Sequence, residues 1–250
     1  MTKGSAEERN WLAIRQGGML FALGFIVAVL FVVIVVNTSP SWLLGPPPDP
    51  ASMYLRWYRL HPEQTRDKTQ WLGVPIQQCP LDLQVYQRIL YETRPDVLVE
   101  TGTFHGGSAY FFASMFDLIG NGRVVTIDIV AFPGRPHHPR ITYLTGSSES
   151  PEIVEQVRKL IGPNEKVMVL LDSAHQKDHV MKELELFSPL VTKGDYLLVH
   201  DTGGPVRPFP GPESGEALHE FLRHHSEFAV DTSCENYGVT LLPGGFLKRL

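Results

Sequence analysis

The chain has only two cysteines, Cys79 and Cys234, far apart along its length. That excludes a disulfide framework and a metal knuckle, and it leaves the redox compartment open. Basic residues are not in excess: 22 Lys and Arg stand against 27 Asp and Glu, a net charge of −5. No basic footprint follows, so nucleic acid is not expected as a partner. Internal repeats are lacking, and so is charge between Arg15 and Asp49. Elsewhere 43% hydrophobic residues over 250 positions supply ample material for a core.

The uncharged region holds the run MLFALGFIVAVLFVVIVV, Met19 to Val36. With its flanks it reaches the roughly 20 apolar residues a spanning helix needs. Asn37-Thr-Ser-Pro-Ser-Trp follows without a small-x-small cleavage site, so an uncleaved anchor is expected rather than a signal peptide. The expected organisation is an N-terminal flank at 1–18, a transmembrane helix at 19–37, a Pro-rich linker at 38–50 and one domain at 51–250. Three consecutive prolines make the linker an extended spacer. The aromatic and basic stretch from Ala51 to Arg66 reads either as an accessory helix or as a segment near headgroups.

Beyond Trp71, helices alternate with short apolar strands. Helices are expected at Pro80–Glu92, Ser108–Ile119, from Pro151 to a stop at Gly162, at His179–Leu190 and at Glu216–His224. Ser150 before Pro151 is a cap followed by proline at the first helical position. Strands are expected at Val97–Glu100, Arg123–Asp128, Ile141–Thr145, Lys166–Asp172, Tyr196–Asp201, Phe228–Asp231 and Gly238–Leu242, the last two as a hairpin. Such alternation implies an α/β, doubly wound, Rossmann-like sheet, mainly parallel, with an antiparallel strand near the C-terminus.

Ligands of such sheets bind beyond the carboxyl ends of the strands. There the first strand delivers VLVETGTFHGGS, Val97 to Ser108. A dinucleotide fingerprint would read Gly-x-Gly-x-x-Gly; this loop reads Gly-x-x-x-Gly-Gly, with Glu100 two residues before the first glycine. A carboxylate there repels a pyrophosphate and suits the cationic sulfonium or amine of S-adenosylmethionine. Asp128, ending the next strand, can accept both hydroxyls of a ribose. A glycine-rich turn, a nicotinamide-dependent oxidoreductase loop and a methyl-donor loop all remain open on spacing alone.

A second constellation joins Leu171-Asp-Ser-Ala-His-Gln-Lys177 to Val199-His-Asp-Thr202. Asp172, His200 and Asp201 end neighbouring strands and are expected to converge on one divalent cation, Mg²⁺ or a softer ion. His175 and Lys177 lie at the same corner, and either could take a proton from an acceptor hydroxyl. His137, His138, His224 and His225 read as loop or helix-end residues.

Several of these segments resemble one family. Trp71-Leu-Gly-Val-Pro, Arg94-Pro-Asp-Val-Leu-Val-Glu-Thr-Gly, His105-Gly-Gly-Ser, Leu171-Asp-Ser-x-His, Ser188-Pro-Leu-Val and Gly245-Phe-Leu-Lys-Arg resemble the cephalosporin hydroxylase / rhamnosyl O-methyltransferase family, in the same order. More distantly, Glu-x-Gly-x-x-x-Gly-x-Ser resembles the catechol O-methyltransferase type. The resemblance implies an S-adenosylmethionine-dependent O-methyltransferase with a Mg²⁺-type site. It implies a cofactor site at Glu100, Gly102, Ser108, Asp128, Ser147 and Ser148, to which the loop after the first strand adds His105 and Gly106 as candidates, and a metal at Asp172, His200 and Asp201. Two positions depart from the family pattern: Ala174 stands where an acid or amide is frequent, and His200 where an acid is frequent. The expected acceptor is a sugar, a glycolipid or a related small molecule, and a homo-oligomer and a non-catalytic membrane scaffold stay open. Lys3, Arg9 and Arg15 before the apolar run favour a domain outside the cytoplasm. Cofactor supply favours the opposite, and a cytoplasm-facing domain of a single-pass membrane protein is the expectation.

Overall fold

The computed structural model describes residues 50–203 and 213–250. The expected flank and transmembrane helix, the linker up to residue 49, and most of the loop at 203–214 lie outside them. Among the described residues no helix is long and apolar enough to cross a membrane.

Among the described residues helix α1 (Pro50–Leu60) comes first, so the accessory-helix reading of this stretch holds. Its Tyr58 is buried against the core, with Tyr54 and Leu55 packed beside it. A two-residue turn at Leu72 and Gly73, both at positive φ, folds β1 (Gln70–Trp71) back on β2 (Val74–Pro75). Helix α2 (Pro80–Thr93) follows, started by a proline in its first turn.

The main sheet then builds from β3 (Val97–Thr101), β4 (Arg123–Asp128), β5 (Ile141–Thr145), β6 (Val167–Leu171), β7 (Tyr196–Val199), β8 (Phe228–Val230) and β9 (Phe246–Arg249). Their order across the sheet is β5-β4-β3-β6-β7-β9-β8. The first five are parallel, and β9 runs antiparallel to both β7 and β8. Helices α3 (Gly107–Ile119), α4 (Pro151–Lys159), α5 (Lys177–Phe187) and α6 (Glu213–Leu222) connect them.

Every residue of β3 and β6 is buried, because helices cover both faces of the sheet. Alternate strand residues divide the core into two layers. Leu98, Met168 and Leu198 meet α2 and α3 through Tyr86, Phe112 and Phe116. Val99, Val169 and Val199 meet the other helices through Val157, Leu184 and Phe221. Each of the fully buried aromatics contributes about 2–3 kcal/mol of transfer free energy. Helix α4 starts as its sequence demands, with the Ser150 hydroxyl accepting from the Ile153 amide.

Several boundaries shift by one to three residues, α6 (Glu213–Leu222, expected at Glu216–His224) among them, and three departures go further. Helix α4 ends at Lys159, before Gly162, and Leu160 is left exposed. Helix α5 begins at Lys177 and ends at Phe187, and Ser188–Leu190 form a separate 3-10 turn. The expected strand at Gly238–Leu242 is a loop, and the strand lies later, at β9. The apolar residues of that loop are buried all the same: Leu241 and Leu242 pack into the core. Their amides are satisfied without a ladder, Leu241 by the Asp82 carboxylate at 2.9 Å and Leu242 by the Thr240 hydroxyl at 2.9 Å.

Candidate active site

The carboxyl ends of β3, β4, β6 and β7 open into a cavity of about 840 Å³. The loop after β3 forms its floor. Gly102 takes a positive φ, and a Cβ there would overlap the main-chain carbonyl of Asp172. Gly107 is packed as closely, against the carbonyl of Pro75. Only glycine allows these approaches, so both residues are needed to bring the loop onto its neighbours. Gly102, His105 and Ser108 line the cavity; Gly106, also at positive φ, lies behind it against Pro136 and Tyr143.

Glu100 is buried beneath this loop rather than in the cavity wall. Its Oε2 accepts from the Thr126 hydroxyl at 2.6 Å, while Oε1 has no hydrogen-bond partner. Burial pushes its carboxyl up to about 7, partly countered by hydrogen bonds from Ser108 and Thr126. Ser108, which does line the cavity, therefore links it to a carboxyl poised near neutrality.

Asp128 lines the cavity at the end of β4. It accepts from the amides of Phe104 at 2.7 Å and Val130 at 3.0 Å, and pairs with Arg135 at 3.1 Å. Arg135 also donates to the carbonyls of Phe104 and Val130, at 2.8 Å and 2.7 Å. One guanidinium thus ties the loops after β3 and β4 to the same acid. Beside them the rings of Phe104, His105 and Phe132 cluster at the rim, with centroids 4.0–5.4 Å apart. Ser148 lines the cavity too, with its hydroxyl 3.5 Å from Nε2 of His179. Ser147 does not; its hydroxyl accepts from the Glu149 amide within its own turn.

The second corner gathers Asp172, His175 and Asp201, whose ligating atoms lie within 4.8 Å of one another. Nε2 of His175 is 3.2 Å from Oδ2 of Asp201. Asp201 has a φ of 52°, a left-handed conformation that costs a non-glycine residue about 1 kcal/mol or more and turns the chain off β7 here. Burial raises the Asp172 carboxyl above the usual range, while His200 and His175 pull it down.

His200, expected among the metal ligands, lies outside that three-residue cluster but lines the same cavity beside it. It is buried, its Nε2 sits 2.9 Å from Oε1 of Gln78, and its Nδ1 lies 3.1 Å from Asp172 without hydrogen-bond alignment. Burial lowers the affinity of its ring for a proton, but the carboxylates of Asp172 and Asp201 outweigh that and lift it to about 9. Lys177 is not brought to the cavity. It is the first residue of α5, and its ammonium pairs with Glu220 on α6 at 2.7 Å.

Four contributors escaped the reading of the sequence. Gln78 and Arg135 carry no local signal, since their roles depend on partners distant in the chain. His179 and Glu183 had one, the i,i+4 spacing on a helix: Ser173 donates to Glu183 at 2.7 Å and lies 2.9 Å from His179.

Comparisons with known proteins identify the family. The model of the family "Rhamnosyl O-methyltransferase/CmcI" matches residues 63–250. Rhamnosyl O-methyltransferases of Mycobacterium tuberculosis and Mycobacterium leprae are each 35% identical to this chain. Both alignments cover 80% of it, with 84% and 90% of the respective relatives. A solved CmcI structure named for Mg and SAM superimposes with a TM-score of 0.56 at 22% identity, over 82% of this chain and 87% of its own. That likeness bears on the fold. The chain belongs to the rhamnosyl O-methyltransferase/CmcI family, and its class is that of an S-adenosylmethionine-dependent O-methyltransferase.

Proposed function

We propose that this chain methylates a hydroxyl of a sugar acceptor of the rhamnose type, with a divalent cation held by Asp172 and Asp201 and with His175 as the proton acceptor. The observation that carries this reading is the meeting of those three side chains at one corner of the cavity, beside the glycine loop. Two carboxylates and open coordination positions suit a hard ion such as Mg²⁺. The names of the 35%-identical relatives supply the sugar.

When bound, S-adenosylmethionine would supply an electrophilic methyl group, and the cation would make the acceptor hydroxyl more acidic. The remaining work falls to the chain. Asp201 holds the imidazole of His175, which receives the hydroxyl proton as the oxygen attacks. Ser108, Asp128 and Ser148 line the part of the cavity proposed for the methyl donor. Tyr58, Ile76 and Leu241 also line the cavity, and the acceptor is proposed to lie against them. Positioning and proton removal together account for the chemistry, because the sulfonium is already activated.

A second reading, favoured by the same 4.8 Å cluster, makes His175 a third ligand of the cation. The two separate on one variant. In the first reading His175→Ala keeps Mn²⁺ affinity and loses kcat; in the second it loses both.

The tether is inferred from residues 19–37 alone, and it suits a lipid-linked acceptor. The domain is assigned to the cytoplasmic side, where S-adenosylmethionine is supplied. Protease treatment of intact and opened vesicles tests this: digestion only after opening supports it, and digestion of intact, right-side-out vesicles contradicts it.

A further inference from the structure

Gln78 lies between β2 and α2, away from the strand ends that supply the other corner residues, and is 2% exposed. Its amide is committed at both ends. Nε2 donates to Oδ2 of Asp172 at 2.6 Å, and Oε1 accepts from His200 at 2.9 Å and from the Tyr86 hydroxyl at 3.4 Å. Its main-chain carbonyl accepts from the hydroxyl of Tyr58, a residue of the cavity wall, at 3.3 Å.

Only one orientation of this amide serves its partners. A carboxylate cannot donate, so the nitrogen must face Asp172; the oxygen then faces His200, whose Nε2 must carry a hydrogen. One oxygen of Asp172 is thereby engaged and the carboxylate plane fixed. The Nε2 of His200 is withdrawn from any ligand role, and its Nδ1 faces Asp172 and Asp201 at 3.1 Å and 3.7 Å.

We propose that Gln78 is a positioning residue for the cation site: it fixes the Asp172 carboxylate and, by holding the Nε2–H of His200, turns Nδ1 of that ring toward the two acids. This rests on the divalent-cation reading above. Partners behind metal ligands typically change affinity or activity 10–100-fold when removed, roughly the effect expected here.

The test measures free Mn²⁺ by electron paramagnetic resonance over the full chain bound to S-adenosylhomocysteine. Gln78→Leu and Gln78→Met keep the volume and remove the hydrogen bonds. In either variant Mn²⁺ affinity is expected to fall by about 10–100-fold, with affinity for S-adenosylhomocysteine little changed. Asp172→Asn is expected to lower Mn²⁺ affinity at least as much as the Gln78 variants do. A Gln78 variant that binds S-adenosylhomocysteine and holds Mn²⁺ as tightly as the wild type overturns the proposal and leaves the cation reading intact. Wild-type protein that takes up no Mn²⁺ overturns the cation reading itself, and this inference with it.

Discussion

The α-carbon of Gly102 faces the main-chain carbonyl of Asp172 so closely that a single added methyl group would overlap it. The loop that follows β3 and the acid that follows β6 are therefore one packed unit, and the two halves of the site are built against each other. Gly102→Ala must both displace this carbonyl and adopt a positive φ. A loss of about 3 kcal/mol or more is expected. Urea denaturation checks it, with S-adenosylhomocysteine titration reporting the cofactor side. An unchanged midpoint would show that the loop relaxes freely.

Arg135 ties Phe104, Val130 and Asp128 together. Replacing it with methionine keeps some bulk and removes the donors. The KM for S-adenosylmethionine is expected to rise by roughly tenfold with a smaller change in kcat, the pattern of lost ground-state binding. A fall in kcat at constant KM would contradict this role.

The burial of Glu100 makes a prediction about pH. Its carboxyl is raised to about 7 from an ordinary value of 4.5, so the folded state holds the proton more tightly than the unfolded chain. The stability tied to that proton is fully present below the unfolded value. It is lost as pH climbs through about 4.5 to 7, by on the order of 3 kcal/mol. Glu100→Gln removes the titration, so its stability relative to wild type should increase between pH 5 and pH 8. Parallel denaturation curves at the two pH values would refute the assignment.

His175 and Lys177 are two residues apart and have opposite fates. His175→Ala should lower kcat by about 10²–10⁴-fold. Lys177→Ala removes only a solvent-screened ion pair with Glu220, and should retain turnover within about threefold. Equal losses in the two variants would return Lys177 to the site.

That contrast also marks how far the sequence could be read. Strands β4 and β5 match their expected bounds because each is a short apolar run ended by turn residues. The cap at Ser150 was legible because its hydrogen bond is local. The loop at Gly238–Leu242 misled because burial alone makes it apolar, and its amide partner Asp82 is 159 residues away from Leu241. Lys177 misled because proximity along the chain does not tell which way the first residue of a helix points. Gln78 was invisible for a similar reason: Asp172 and His200 lie 94 and 122 residues beyond it. Strand-end acids could be placed from the pattern of elements, but the side chains that orient them depend on contacts only the fold creates.

The most direct test of the account is transfer of a labelled methyl group from S-adenosylmethionine to a rhamnoside by the full chain with Mg²⁺. The account predicts label in the acceptor as an O-methyl ether, with one S-adenosylhomocysteine formed for each methyl moved. Binding of S-adenosylmethionine with no label in any of a series of rhamnosides would contradict the proposed acceptor. Failure to bind it at all, with NAD bound instead, would contradict the account as a whole.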